Sequence, residues 1–162
     1  MSIKSAVVVL HEQLTDSLIL TQRSIHLRDH PGEICFPGGR WERGDCDLWF
    51  TALRELHEEL GIEPHRIQLV QQLGAETTRL GTVIHPWLAS VATIHPFMIN
   101  EAEVGELISL PLSDVVNPDN YQDIPLTHKG YSFVSCQFMA SKHFIWGATA
   151  RIMKQLCMAE SV

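Results

Sequence analysis

The chain has 162 residues, of which 45% are hydrophobic and 19% are charged, and its formal net charge is −7. These values predict one globular domain with a hydrophobic core over residues 1–162, and the negative charge argues against binding of nucleic acid. No apolar run is long enough to span a bilayer, so no membrane association is expected. Four cysteines without a C-x-x-C pair, and no recognisable targeting signal, favour a reduced cytoplasmic protein.

The first part of the chain predicts a hairpin followed by a glycine-rich loop. Ser5–Leu10 is a β-branched run, and Ser17–Thr21 is a second apolar run. Turn-forming residues lie between them, which favours an antiparallel hairpin. Further on, Gly38 and Gly39 predict a flexible loop whose backbone can approach a ligand closely.

The helix that follows this loop is predicted to have two chemically different faces. Asp45 and Asp47 are candidate N-caps, and Gly61 is suited to end the helix. An apolar stripe for the core consists of Trp49, Leu53, Leu56 and Leu60. Three carboxylates lie on another face: Glu55, Glu58 and Glu59. Such neighbouring negative charges repel, and a hard divalent cation would compensate them, although a solvated surface helix is an alternative explanation.

The second half of the chain predicts more strands and a closing helix. The strands are Ile67–Glu76, Val83–Thr93, Glu106–Leu110, Ser132–Met139 and His143–Trp146. The helix is predicted over Gly147–Met158, with an apolar face toward the core. Strands that alternate with two helices predict one α/β domain in which helices cover a mixed sheet.

Residues 39–62 resemble the Nudix box, the signature of a family that hydrolyses nucleoside diphosphates linked to another group. The box consists of Gly, five residues, an acidic residue, seven residues and R-E-apolar-x-E-E-x-G-apolar. In this chain Gly39, five residues and Asp45 are followed, after eight residues, by Arg54–Ile62 (RELHEELGI). Asp45 replaces the usual Glu, and the spacer is one residue longer. The resemblance implies an α/β/α sandwich with a central mixed β-sheet and a catalytic loop-helix-loop.

Residues 20–39, LTQRSIHLRDHPGEICFPGG, resemble the signature of the coenzyme A pyrophosphatase branch of that family. The Asp and the longer spacer of the box are also typical of this branch. The resemblance implies hydrolysis of coenzyme A or acyl-coenzyme A to 3′,5′-ADP and 4′-phosphopantetheine or its acyl derivative. One alternative is a Nudix pyrophosphatase for ADP-ribose, NADH or an oxidised nucleotide. Another is a non-catalytic Nudix domain that binds nucleotides.

The same resemblance implies a role for individual residues. Mg²⁺ or Mn²⁺ is expected to bind the box carboxylates Glu55, Glu58 and Glu59 and the backbone carbonyl of Gly39. Arg54 is expected to pair with a box carboxylate. The general base is predicted to be Glu103, with a box glutamate as the alternative. Contacts with the small-molecule substrate are expected from Arg23, Ser24, Arg28, Arg40 and Gly38. The sequence leaves open whether the protein forms a homodimer.

Overall fold

The computed structural model describes residues 2–159. Residue 1 and residues 160–162 of the predicted domain lie outside the described part. The strands in this part are β1 (Lys4–Glu12), β2 (Ser17–Arg23), β3 (Ile34–Cys35), β4 (Gly38–Arg40), β5 (Gln68–Gln72), β6 (Glu76–Thr77), β7 (Val83–Val91), β8 (Val104–Pro111), β9 (Tyr121–His128), β10 (Tyr131–Phe138) and β11 (Ile145–Trp146). The helices are α1 (Leu48–Leu60), α2 (Leu112–Val115) and α3 (Gly147–Ala159). Within residues 2–159, no helix is both long enough and apolar enough to cross a membrane.

Strand β1 lies at the centre of a mixed eight-stranded sheet, as predicted for this α/β domain. It pairs in parallel with β7 along its whole length and in antiparallel with β2, which confirms the predicted hairpin. Helix α1 packs on one face of the sheet through Ala52, Leu56 and Leu60. Helix α3 and the small sheet β11–β10–β9 cover the other face. The helices therefore enclose the sheet between two hydrophobic layers.

The predicted flexible loop at Gly38 and Gly39 is wrong, because these residues form strand β4 inside the sheet. Strands β1 and β2 pair only near their turn and then separate. The chain from β3 to β4 fills the gap, with β3 paired to β2 and β4 paired to β1. A side chain at Gly38 would place its Cβ 2.2 Å from the carbonyl oxygen of Ala6. Glycine is therefore required for this close approach.

Other differences from the sequence prediction concern the second half of the chain. The predicted strand Ile67–Glu76 is two strands, β5 and β6, and the chain between them contains Leu73, which is buried. The predicted strand at 143–146 is limited to β11. Strand β9 was not predicted, since its sequence is polar and contains Pro125. Proline is tolerated there because β9 is the edge strand of its sheet.

Candidate active site

Local interactions fix both ends of α1, the helix that carries the predicted site. The carboxylate of Asp47 accepts a hydrogen bond from the backbone N–H of Phe50 at 2.8 Å, which confirms Asp47 as the N-cap. Gly61 adopts a left-handed conformation with φ of 66° and ends the helix. The C-terminal turn of α1 is thereby held over strand β4.

Asp45, the second candidate N-cap, has a different role in the structure. Its side chain is 3% exposed and accepts hydrogen bonds from the Glu42 backbone N–H and from the Thr51 hydroxyl. Two further bonds come from Arg54, through Nε at 2.9 Å and Nη2 at 3.0 Å. These bonds from Arg54 hold the pKa of Asp45 well below its usual range. The acid of the box is therefore a buried anchor for the arginine.

Arg54 also extends toward the carboxylates of its own helix. Its Nη1 atom donates to Glu55 at 3.1 Å and to Glu58 at 3.2 Å. Its Nη2 atom also donates to the carbonyl oxygen of Arg40, which follows the two glycines. The predicted pairing of Arg54 with box carboxylates is thus observed. The guanidinium joins the end of strand β4, the buried Asp45 and the acidic face of α1.

Three carboxylates from two distant parts of the chain converge beside Arg54. Within residues 2–159, Glu55, Glu58 and Glu103 form the one group of potential metal ligands, with one oxygen of each within 4.8 Å of the others. Glu55 is 13% exposed in its side chain, whereas Glu58 is 46% exposed and faces solvent. Because hard divalent cations such as Mg²⁺ prefer several carboxylate oxygens together with water, this donor set fits such a cation.

Burial and mutual repulsion oppose ionisation of the box carboxylates. Burial and then the charge of Glu58 raise the pKa of Glu55 to about 7. Burial, together with the charges of Glu55 and Glu103, raises the pKa of Glu59 to about 8, although the hydrogen bond from the Gly38 N–H lowers it. The site therefore concentrates negative charge that the described protein groups compensate only in part.

Glu59 is more buried than a glutamate on the exposed face of a surface helix would be. It is 7% exposed, and both of its oxygens accept from the Gly38 N–H at 3.3 Å. The solvated-helix alternative is therefore wrong for Glu59. Its oxygens are not part of the group formed by Glu55, Glu58 and Glu103. A ligand role for Glu59 stays a prediction.

Gly39 contacts the carboxylate of Glu55. A Cβ at this position would lie 2.5 Å from Glu55 Cδ and 2.7 Å from Oε1. Any side chain would displace the carboxylate, so glycine is required for their close approach. The expected coordination by the Gly39 carbonyl oxygen stays a prediction.

The predicted substrate-binding residues lie at different distances from the carboxylates. Ser24 is buried, and its backbone N–H donates to the carbonyl oxygen of Glu103 at 3.0 Å. Arg23 donates twice to the carbonyl oxygen of Asp29, and its positive charge lowers the pKa of Glu59. Arg28 and Arg40 are both exposed. Arg28 lies in the loop after β2, and Arg40 is the last residue of β4. Ser24 is therefore joined to the acidic group through the backbone of Glu103, whereas Arg23 lies near Glu59.

Two contacts of the site were not predicted. The Thr51 hydroxyl contacts Asp45, and the amide of Asn100 donates to the Glu103 carboxylate at 3.4 Å. The spacing Asn-x-x-Glu was the available signal for Asn100. The predicted role of Glu103 implied that this loop would meet α1, but no contact of Asn100 was expected.

Comparison with known proteins identifies the family. A model of the NUDIX domain matches residues 1–129. This chain belongs to the NUDIX domain family. Two curated relatives are both called "Uncharacterized Nudix hydrolase NudL". The one from Enterobacter sp. (strain 638) is 30% identical over 141 residues, and the one from Escherichia coli O1:K1 is 31% identical. Each alignment covers 87% of this chain and 73% of the relative.

Solved structures confirm the Nudix fold. Deinococcus radiodurans DR0079 has a TM-score of 0.62 at 14% identity, covering 95% of this chain and 82% of that one. A Caenorhabditis elegans Ap4A hydrolase binary complex has a TM-score of 0.58 at 21% identity, with coverage of 69% and 83%. The NUDIX domain of Shewanella oneidensis NrtR complexed with ADP ribose has a TM-score of 0.55 at 24% identity, with coverage of 72% and 77%. At these identities the likeness concerns the fold alone.

The family match, the relatives and the complete set of box glutamates agree on the class of protein. The prediction of a Nudix hydrolase is confirmed. The substrate, the cation and the roles of individual residues are not given by these comparisons.

Proposed function

We propose that this Nudix hydrolase cleaves the diphosphate bond of coenzyme A and acyl-coenzyme A, yielding 3′,5′-ADP and 4′-phosphopantetheine or its acyl derivative. The observation that supports this substrate is the bond between Ser24 and Glu103. Ser24 belongs to the segment that resembles the coenzyme A branch, and Glu103 belongs to the acidic group. The segment that resembles the coenzyme A branch is therefore bound to the backbone of a residue that carries one of the three carboxylates.

The residues present fit a bound Mg²⁺ or Mn²⁺ ion. Glu55, Glu58 and Glu103 would supply carboxylate oxygens, and Glu59 and the Gly39 carbonyl are the further candidates. When bound, a divalent cation neutralises diphosphate charge and lowers the pKa of water. Arg54 keeps Glu55 and Glu58 in place through its two hydrogen bonds.

Two carboxylates are candidates for the general base. Glu103 is our first proposal, because it comes from a separate segment and faces the box glutamates; a Glu103 that binds the cation directly would leave this role to Glu59. Glu59 is the alternative, since a pKa of about 8 suits proton transfer near neutral pH. The pH–rate profiles of Glu103→Gln and Glu59→Gln distinguish them. Loss of the base should remove the acidic limb of the profile, whereas loss of a cation ligand should raise the Mn²⁺ concentration needed for activity.

Arginines at the end of β2, in the loop that follows it and at the end of β4 are proposed to select the substrate. Coenzyme A has a 3′-phosphate that ADP-ribose lacks, so its recognition requires additional cationic donors. Arg23 and Arg28 are the candidates for that phosphate, and Arg40, next to the two glycines, is the candidate for the diphosphate. An Arg23→Ala enzyme that kept its full preference for coenzyme A over dephospho-coenzyme A would exclude Arg23 from this role.

The main experiment offers the purified protein five substrates with Mg²⁺ or Mn²⁺: coenzyme A, acetyl-coenzyme A, ADP-ribose, NADH and 8-oxo-dGTP. We expect the highest kcat/KM for coenzyme A or its acetyl derivative. Turnover of another substrate above these two would overturn the proposal. No turnover of any would favour the non-catalytic alternative. A cytoplasmic location and a homodimer stay predictions.

A further inference from the structure

Glu103 reaches the site at the end of an irregular segment, residues 92–103, which we call the crossing segment. It starts where β7 ends, passes the C-terminal end of α1 and leads into β8. Ile94, Phe97 and Ile99 pack against the core beneath α1. Because this segment has little regular structure, its path depends on specific contacts with its neighbours.

Polar side chains hold the start of the crossing segment from two sides. Arg66 donates to three of its carbonyl oxygens, at 2.7 Å for Thr93, 2.9 Å for His95 and 2.8 Å for Pro96. The buried carboxylate of Glu12 accepts from the backbone N–H of Ile94 at 2.6 Å. These three charge-assisted hydrogen bonds to backbone carbonyl groups fix the direction in which the segment leaves this point.

The end of the crossing segment is bound to α1. The backbone N–H groups of Met98 and Asn100 donate to the carbonyl oxygens of Leu60 and Glu59 at 2.8 and 2.9 Å. These carbonyls belong to the last turn of α1 and have no partner within the helix. Asn100 also donates to the carboxylate of Glu103. The segment is therefore fixed along the helix up to the acidic group.

We propose that Arg66 is a positioning residue for Glu103. It touches neither the carboxylates nor the substrate site; it acts by fixing the crossing segment, which in turn holds Glu103 opposite Glu55 and Glu58. This inference rests on the proposed cation site. A general structural role would give Arg66 the same importance for unfolding but no specific connection to Glu103.

The test measures Mn²⁺ binding by calorimetry, without substrate, for Arg66→Ala and for a matched control. The control is Arg151→Ala, because Arg151 lies on α3 and pairs with Glu76 at 3.0 Å, on the other side of the sheet. We expect Arg66→Ala to weaken Mn²⁺ binding about 10-fold or more, as is typical when support for a metal ligand is removed. Arg151→Ala should leave it within about twofold of the wild type.

A double-mutant cycle with Glu103→Gln separates positioning from general loosening. If Arg66 acts through Glu103, adding Arg66→Ala to Glu103→Gln should weaken Mn²⁺ binding by less than about twofold further. Hydrogen exchange supplies a second readout: in Arg66→Ala the amides of Met98 and Asn100 should lose protection while those of β1 keep it. If Arg66→Ala does not fold, Arg66→Lys replaces it. This variant should show a smaller loss of Mn²⁺ affinity and of amide protection at the same positions.

Unchanged Mn²⁺ affinity in Arg66→Ala would overturn the inference, as would an equal loss with and without Glu103→Gln. A wild-type protein that does not bind Mn²⁺ would also overturn it. Because no substrate is used, failure of coenzyme A turnover would refute the proposed substrate and leave the inference intact.

Discussion

Asp45 and Glu59 are both buried carboxylates of the box, yet their surroundings are opposite. Asp45 accepts four hydrogen bonds, two of them from a guanidinium, and its pKa is lowered. Glu59 accepts only from the Gly38 N–H among the described contacts, lies near other carboxylates, and has a pKa of about 8. The contrast teaches that the acid just before α1 stabilises the fold, whereas the buried carboxylate near the end of α1 lacks a compensating charge.

Arg54 lies at the boundary between these two regions. Its Nε and Nη2 atoms bind the stable anchor, and its Nη1 atom binds Glu55 and Glu58. The arginine is thus oriented by the first region and orders the second. The two regions can be separated by mutation because their carboxylates affect different quantities.

The largest expected effect is on catalysis. Glu59→Gln should lower kcat about 100- to 10,000-fold, because it removes a carboxylate from the reacting site. The thermal midpoint should stay equal or rise, since a group whose ionisation is opposed only in the folded state is removed. Steady-state kinetics and thermal unfolding measure both, with Glu101→Gln on the exposed loop as the control. Wild-type kcat in Glu59→Gln would remove Glu59 from the active site.

Asp45→Ala should show the opposite pattern in stability. It leaves Arg54 without its buried partner and should lower the free energy of unfolding by about 3–5 kcal/mol. Urea unfolding measures this loss. Asp47→Ala, which removes only the N-cap, should cost about 1 kcal/mol. Equal losses in the two variants would contradict the role of Asp45 as the anchor.

The stability of the metal-free protein should fall as pH rises. The folded-state pKa values of Glu55 and Glu59, about 7 and about 8, lie above the ordinary value of 4.5. Between pH 4.5 and 8 the folded state therefore binds more protons than the unfolded state, and each rise in pH favours unfolding. Over this range we expect a loss of roughly 7 kcal/mol from the two groups if they titrate independently, measured by urea unfolding in EDTA.

Two controls accompany the pH experiment. Glu55→Gln combined with Glu59→Gln should flatten the dependence, because the titrating groups are gone. Added Mn²⁺ should stabilise the wild type more at pH 8 than at pH 6, since ligands must lose protons to bind it. A wild-type stability that rises steadily from pH 5 to 8 would show that these carboxylates ionise normally.

The smallest effect is expected at Thr51. Thr51→Val keeps the shape of this buried side chain but removes one donor to Asp45, at a cost of about 1 kcal/mol. The kcat should stay within about twofold of the wild type, because both acceptors of the Thr51 hydroxyl, Asp45 and the Asp47 carbonyl, lie outside the acidic group. A tenfold loss of kcat would show that the two regions are more tightly coupled than the contacts suggest.

Local chemistry made part of the structure predictable. Asp47 and Gly61 lie at the two ends of α1, as their residue types indicate. The hairpin of β1 and β2 follows from its two apolar runs and the turn between them. The pairing of Arg54 was expected from the family pattern. These features depend on residues close in sequence, where capping and turn preferences decide the conformation.

Features that depend on distant contacts were not predictable in the same way. Gly38 and Gly39 form a strand only because β1 and β2 separate and leave a gap between them. Glu59 is buried because that strand lies beneath it. No short-range pattern shows that Arg66 fixes the crossing segment, since its partners follow some thirty residues later.

The parallel pairing of β1 with β7 also has a kinetic consequence. Lys4 pairs with Val83, so the chain must close a long loop before the centre of the sheet exists. The crossing segment begins only after β7, and Glu103 is its last residue. We therefore expect the three carboxylates to meet late in folding, so that a partly folded chain cannot retain the cation. Mn²⁺ binding during refolding would then show when the last step of folding occurs.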